Sequence, residues 1–489
     1  MPILLPIRIS AAEARDRTPA PGGFAPADRK SVSSDVMAIS TLPPSGMRDF
    51  LPADLIRRRH VESVIRRVYE SFGFVPIETP TVENLSTLLG KYGEEGDQLL
   101  FRILHRRDKL ARALQQPSVA EKDLAEMGLR YDLTVPLARL IANTKDLPRF
   151  FKRYQIQLVW RADRPGRGRF REFQQCDVDI TGTASLIAEA EVCSAVAMVL
   201  NELGFKDFHI HLNHRQLLRC LISAAGLRPD QEETALVAVD KMDKIGEEGV
   251  LKELQTRGIS DTSAILLLEM LRRPEGLDEA GELARLESRL SGIEGASAHI
   301  IQLRELLAVS AHTPAGSHLR IDATLARGLG YYTGPIFEIR SALASGSLGG
   351  GGRYDNLIGM FRGQAIPAVG FSIGFERLVM VMEEKGLFGN LAVGPDVMLC
   401  RFDDVAPAEA LKAATALRSA GVKVEVYPET PKLGKQLAYA ESAGARIAAI
   451  LGSSEIQSGN ITLKHLSTGE QLTIPADEAA GKIRNWLHS

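Results

Sequence analysis

Between Arg149 and Arg171 the chain places seven arginines and one lysine against a single acid, Asp163. A planar guanidinium matches phosphate oxygens two at a time, so this density of arginine suits a polyanionic ligand. Gln174, Gln175, Asp177 and Asp179 follow directly. Acids and amides packed beside such a cluster suit a pocket for a zwitterion next to a nucleotide. The plainer alternative, a basic solvated hairpin, has no need of them. Three other stretches carry groups of the same kind. Asp132 and Thr134 stand where LRYDLTVPLARLIAN (129–143) turns from strand to helix, and Asp132 alone would serve as a helix cap. Arg327, Tyr331 and Tyr332 crowd a Gly-rich bend within LRIDATLARGLGYYTGPIFEIR (319–340), where two strands are expected to meet. Glu376 and Arg377 open a helix in AVGFSIGFERLVMVMEEKG (368–386), and an Arg in an otherwise apolar helix is costly unless paired or liganded.

Other candidate chemistry is weaker. His209, His211 and His214 lie close together, but alternate strand positions and a turn without a nearby carboxylate make a poor metal site, and no protein metal ligand is expected. KMDKI (241–245) sits in a helical region without a nucleotide fold around it and is read as chance. The four glycines of GSLGGGGRYDNLI (346–358) let backbone approach a ligand, or else form a flexible hairpin loop; they are no dinucleotide fingerprint.

The elements that must hold these groups follow from periodicity. Tyr154–Arg161 and Phe170–Ile180 read as strands around the Pro/Gly turn ADRPGRGR, a hairpin that aims arginines from both strands into one place. Pro52 and Asp54 open a helix that Gly73 ends, and its basic residues Arg57, Arg58, Arg59, Arg66 and Arg67 read as a solvated face. Residues 105–127 form a polar surface insert, and 184–203 a strong amphipathic helix. Residues 215–316 are almost wholly helical in pattern. From about Pro395 strands alternate with helices, which indicates a compact, mainly parallel α/β domain. That last stretch, 394–489, carries ten basic residues against eleven acids, so it is no general polyanion binder, though specific base contacts remain open to it.

The whole chain, 489 residues with a net charge of −2, is long enough for several domains, and its nucleic-acid contacts would have to come from local patches. Four scattered cysteines without a CxxC pair argue against a zinc ribbon and a disulfide framework and fit a reducing compartment. No run approaches a membrane span. Residues 1–40, rich in Pro, Ala, Ser and Arg, read as a disordered leader, and Met37 is a possible start.

Taken in order, these motifs resemble the histidyl-tRNA synthetase family of class II aminoacyl-tRNA synthetases, from about residue 40 to the end. RADRPGRGRFREFQQCDVDITG resembles the second class II motif, PAVGFSIGFERLVMV the third, and IETPTVENLSTLLG the first, which in this class builds a homodimer interface. RGLGYYTG and GGGGRYDNLIG resemble the histidine-specific signatures, and LRYDLTVPLAR the segment that holds the amino group. The resemblance implies an α+β catalytic domain with an antiparallel sheet over 41–393, a mainly helical insertion near 215–316, and a C-terminal α/β anticodon-binding domain over 394–489. It implies a cytoplasmic homodimer that attaches L-histidine to tRNA(His) through a histidyl-adenylate, with ATP and Mg²⁺. Arg161 and Arg327 would flank the α-phosphate; Asp163, Arg169, Phe173 and Arg377 would complete the ATP site, with Phe173 on adenine and Arg377 at the γ-phosphate. Asp132, Leu133, Thr134 and Asp179, with Gln175 beside them, would hold the ammonium, and Tyr331 and Tyr332 would line the imidazole slot. The family's usual string is RGLDYY, and Gly330 replaces its Asp; activity is expected to survive because the neighbouring Arg and Tyr residues are intact. Two rival readings are a regulatory subunit of ATP phosphoribosyltransferase, which shares the catalytic fold, and an RNA-binding scaffold of synthetase descent. The arginines and the C-terminal domain argue against the first, and the intact histidine pocket against the second.

Overall fold

A computed structural model describes residues 40–90, 98–326, 331–389 and 391–488. The expected leader lies almost wholly outside them, as do Arg327 and Gly330. The strands in chain order are β1 (Val75–Pro76), β2 (Val82–Asn84), β3 (Arg102–Leu104), β4 (Ala125–Leu129), β5 (Phe151–Trp160), β6 (Glu172–Thr181), β7 (Phe208–His214) and β8 (Leu319–Ile321). They continue with β9 (Pro335–Ser341), β10 (Gly349–Arg353), β11 (Ala368–Gly374), β12 (Val397–Arg401), β13 (Val424–Val426), β14 (Ile447–Leu451), β15 (Asn460–His465) and β16 (Gln471–Pro475).

The main sheet runs β1-β5-β6-β11-β10-β9-β7-β8, and its six central strands pair antiparallel with one another. Parallel pairs occur at the two edges, β1 with β5 and β8 with β7. The hairpin forms as expected, with β5 and β6 in unbroken register from Phe151↔Thr181 to Trp160↔Glu172. Behind the sheet, the stretch expected to be a strong amphipathic helix forms the helix Ile187–Glu202, which is instead apolar on most of its surface and buried accordingly. Helices between Arg215 and Ser310 share that core through Leu236, Leu254, Leu267, Leu283 and Leu303. The C-terminal strands form a separate sheet, β13-β12-β14-β15-β16, with a core of its own. No helix of the described residues is long and apolar enough to cross a membrane.

Other readings also need correction. The strands within 319–340 do not meet, because β7 lies between β8 and β9. The four glycines are not a loop; Gly349–Gly352 lie in a fully buried central strand, β10. Glycine weakens an isolated strand, but here nothing larger fits: a Cβ on Gly351 would lie 2.0 Å from the Gly370 carbonyl oxygen. The C-terminal sheet is mixed, since β12 pairs in parallel with β13 and β14 while β15 pairs antiparallel with β14 and β16. The arginines of the first helix, Pro52–Ser71, are not one solvated face, because Arg58 is buried and fastened to Glu376.

Candidate active site

The main sheet carries two cavities that share Arg161, Gln175, Gly350 and Ser372. The outer one, about 360 Å³, is lined by Arg161, Asp163, Arg169, Phe173 and Arg377 among others. The inner one, about 160 Å³, is lined by Asp132, Thr134, Asp177, Asp179, Tyr331, Tyr332 and Tyr354 among others. The sequence-predicted groups therefore divide between a basic chamber and an acidic recess, joined at Arg161 and Gln175. Leu133 lines neither; it is fully buried at the start of the helix Thr134–Asn143. The position of Arg327 lies outside the described residues.

In the basic chamber, strand alternation puts Phe173 and Gln175 on the same face of β6. Arg161 follows the end of β5, and its Nε donates to the Tyr131 carbonyl at 2.9 Å. Its guanidinium carbon lies 5.1 Å from the centre of the Phe173 ring. Arg377 donates through Nη1 to the Ser347 carbonyl, which aims it across the chamber. The hairpin does not aim all its arginines here. Arg167 pairs with Glu384 at 2.6 Å, Arg171 donates to the Asp163 carbonyl at 3.1 Å, and Arg153 is buried against Asp179 at 2.7 Å. Charge on a turn is free to face several ways, which sequence alone does not resolve.

The helix Phe375–Glu384 is fixed by Glu376, whose carboxylate accepts from Arg58 at 2.6 and 2.8 Å and pairs with Arg48 at 2.5 Å. Burial works against the Glu376 charge, but Arg58 and Arg48 outweigh it and hold the carboxyl below its ordinary value. Arg48 also lies 3.3 Å over the Phe170 ring, so the same clamp braces the turn between β5 and β6.

In the acidic recess the floor is glycine backbone. Gly350, Gly351 and Gly370 line it, and a Cβ on Gly370 would meet Asp179 Oδ1 at 1.9 Å. Asp179 accepts from the Tyr354 hydroxyl and pairs with the wholly buried Arg153. Asp132 caps its helix, accepting from the Val135 N–H at 3.2 Å, and lines the recess as well, so the two readings of that residue are compatible. Tyr331 and Tyr332 make the opposite wall, with ring centroids 4.5 Å apart and hydroxyls at 3.3 Å. Sequence reasoning missed Arg153, Tyr354, Ser372 and the Arg58–Glu376–Arg48 clamp. A charged residue inside a strand, as Arg153 is, was an available signal. The clamp had none, because its partners lie more than 300 positions apart.

Two of the three histidines have partners in the fold, whereas His209 Nδ1 is buried without a hydrogen-bond partner among the described residues. His211 does have a carboxylate beside it, contrary to expectation: Nδ1 lies 2.8 Å from Asp322. His214 caps the helix Arg215–Ala224 and stacks on His299. Among the described residues no group of three potential ligands is suited to a metal ion. Lys241 of KMDKI is engaged by Glu253.

The histidyl-tRNA synthetase family model matches residues 46–378, and an anticodon-binding domain model matches 384–486. The chain is similar to a histidine–tRNA ligase of Cytophaga hutchinsonii, at 40% identity over 90% of this chain and 98% of that protein. It is similar also to one of Porphyromonas gingivalis, at 42% identity over 89% and 97%. The crystal structure of histidyl-tRNA synthetase from a Nostoc species superposes with a TM-score of 0.76, at 31% identity over 91% of this chain and 99% of that one. A Bacillus halodurans structure titled as an ATP phosphoribosyltransferase regulatory subunit/histidyl-tRNA synthetase shares the fold, with a TM-score of 0.69 at 21% identity over 85% and 100%. By its sequence matches and its fold, this chain belongs to the histidyl-tRNA synthetase family.

Proposed function

We propose that the protein is a histidine–tRNA ligase working at the junction of the two cavities. The observation that carries this reading is that junction: a basic chamber and an acidic recess meet at Arg161 and Gln175. Histidine enters the recess with its ammonium toward Asp132, Thr134 and Asp179. ATP lies in the chamber with adenine on Phe173, Arg161 and Arg327 flanking the α-phosphate, Arg377 at the γ-phosphate, and Asp163 and Arg169 completing the site. The histidine carboxylate attacks the α-phosphorus, a new C–O–P linkage forms, and pyrophosphate leaves. Two anions must meet in that step, and Arg161 stabilises the charge that spreads over the phosphoryl oxygens. The terminal ribose hydroxyl of tRNA(His) then attacks the adenylate carbonyl and releases AMP. Glu376 is already occupied by two arginines, and no three-ligand group stands among the described residues, so Mg²⁺ would be held chiefly by phosphate oxygens and water. Bound in that way, it would supply further charge neutralisation.

The reading extends to a catalytic part over 41–393, with its helical insertion, an anticodon-binding part over 394–489 and a leader over 1–40. The working form is a cytoplasmic homodimer. Histidine-dependent exchange between ATP and pyrophosphate, followed by charging of tRNA(His), tests it. Exchange that needs histidine and no other amino acid is expected. Full-chain protein that performs neither reaction would return the chain to the regulatory or scaffold readings.

A further inference from the structure

The outer edge of β5 pairs with β1 only at Arg153 and Tyr154. Beyond that point Arg130, just after β4, closes the edge. Its Nε donates to the Leu158 carbonyl at 2.9 Å, and its own carbonyl accepts from the Trp160 N–H at 3.0 Å. On its other side, Nη1 donates to the carbonyls of Thr79 and Pro80 and to Gln157 Oε1. The Arg130 N–H donates to the Thr81 carbonyl at 3.0 Å. The residue is 2% exposed, and among the described residues its charge is met by carbonyl oxygens of two segments rather than by a carboxylate. Burying a charge in this way is costly, and an apolar side chain of similar volume would avoid the cost. What only arginine supplies is a rigid fork whose donors reach both segments at once.

The next residue carries the consequence. The Tyr131 carbonyl accepts from Arg161 Nε at 2.9 Å, and Trp160, bonded to the Arg130 carbonyl, is the residue before Arg161. Backbone and side chain of Arg161 are thus both referred to Arg130, which itself lines neither cavity. We propose that Arg130 is a positioning residue for adenylate formation: it fixes the Tyr131 carbonyl against the end of β5, and so keeps the Arg161 guanidinium at the junction of the two cavities. This rests on the ligase reading and deepens it. A cation that must meet charge as it develops works only from a fixed place, so slack in its support is felt in the chemical step. A lysine keeps the charge and most of the stem but gathers its donors at one point, so it cannot serve Leu158 and Thr79 together.

The test is a double-mutant cycle on the full-length chain, with Arg130→Lys and Arg130→Met each made alone and together with Arg161→Ala. Thermal melting checks folding, and the lysine variant guards against its loss in the methionine one. Histidine-dependent pyrophosphate exchange gives kcat and the KM values. Each folded single variant should lower kcat by about tenfold or more, leaving the KM for ATP within about threefold. In the Arg161→Ala background the same change should cost less than about twofold further, because the residue it positions is gone. A kcat within about twofold of the wild type in a folded variant overturns the proposal. Losses that multiply in full overturn it too, since they assign Arg130 to the fold at large, as would failure of both variants to fold. An effect confined to the KM for histidine would place its action on Asp132 instead. If the wild type performs no exchange, the ligase reading itself fails and this inference with it, whereas wild-type exchange with unaltered variants removes the inference alone.

Discussion

Arg161 stands where the two cavities join, its guanidinium steered by the Tyr131 carbonyl and the Phe173 ring. A preorganised cation at that point does its work as charge develops. Arg161→Ala should therefore lower the rate of histidine-dependent exchange by about 10²–10³, with the melting temperature nearly unchanged. A rate within threefold of the wild type, in stopped-flow or exchange assays, would remove Arg161 from the chemistry. At this scale much was legible. Phe173 and Gln175 lie on β6, where alternation puts them on one face, while Arg161, Asp163 and Arg169 belong to the connecting turn, where residue type alone suggested a basic site. Arg58 was not legible, because its burial depends on Glu376, and a helix surface rich in arginine looks solvated until its partner is known.

Asp322 joins elements in the same way that Glu376 does. It follows β8, accepts from the Thr324 N–H at 2.9 Å, and pairs with His211 on β7 at 2.8 Å and with Arg340 on β9 at 3.3 Å. Burial works to raise its carboxyl, but the bonds from His211 and Thr324 and the charge of Arg340 outweigh it and bring the group down to about 2. A folded value below the unfolded one means stability that is present above the ordinary carboxyl range and lost as pH falls toward 2. Asp322→Asn should cost roughly 2 kcal/mol at pH 7. The gap in melting temperature from the wild type should shrink between pH 4 and pH 2; a gap independent of pH would show that the carboxylate charge contributes nothing. Helices were the most legible elements in position, but not always in their buried face: Ile187–Glu202, expected to be amphipathic, is buried on most sides. Sheet order was not legible, because pairing is a long-range choice. The glycine strand was not foreseen as a strand for a related reason: its residues have little strand propensity, and the close approach of β9 and β11 alone makes glycine the fitting residue.

At the scale of the whole molecule, the main sheet and the C-terminal sheet have separate hydrophobic cores. Charge in the C-terminal part is balanced, as in the chain overall, so any hold on RNA there must come from shaped contacts. A chain ended after Ala392 should keep histidine-dependent exchange within about threefold while tRNA charging falls by more than 10²; equal loss of both reactions would mean that the two parts act as one catalytic body. The helical stretch and the alternating α/β end could be read from their own rhythm, while the sheet-based body was expected only from the family resemblance, and the mixed direction of the last sheet was not foreseen. The recess floor has one more consequence, for redesign. Built from peptide groups of Gly350, Gly351 and Gly370, it has no side chain to shorten. An enzyme remade for a bulkier amino acid must gain its room from the tyrosine wall of Tyr331, Tyr332 and Tyr354, and laboratory evolution toward such substrates should collect its changes there and leave the glycines untouched.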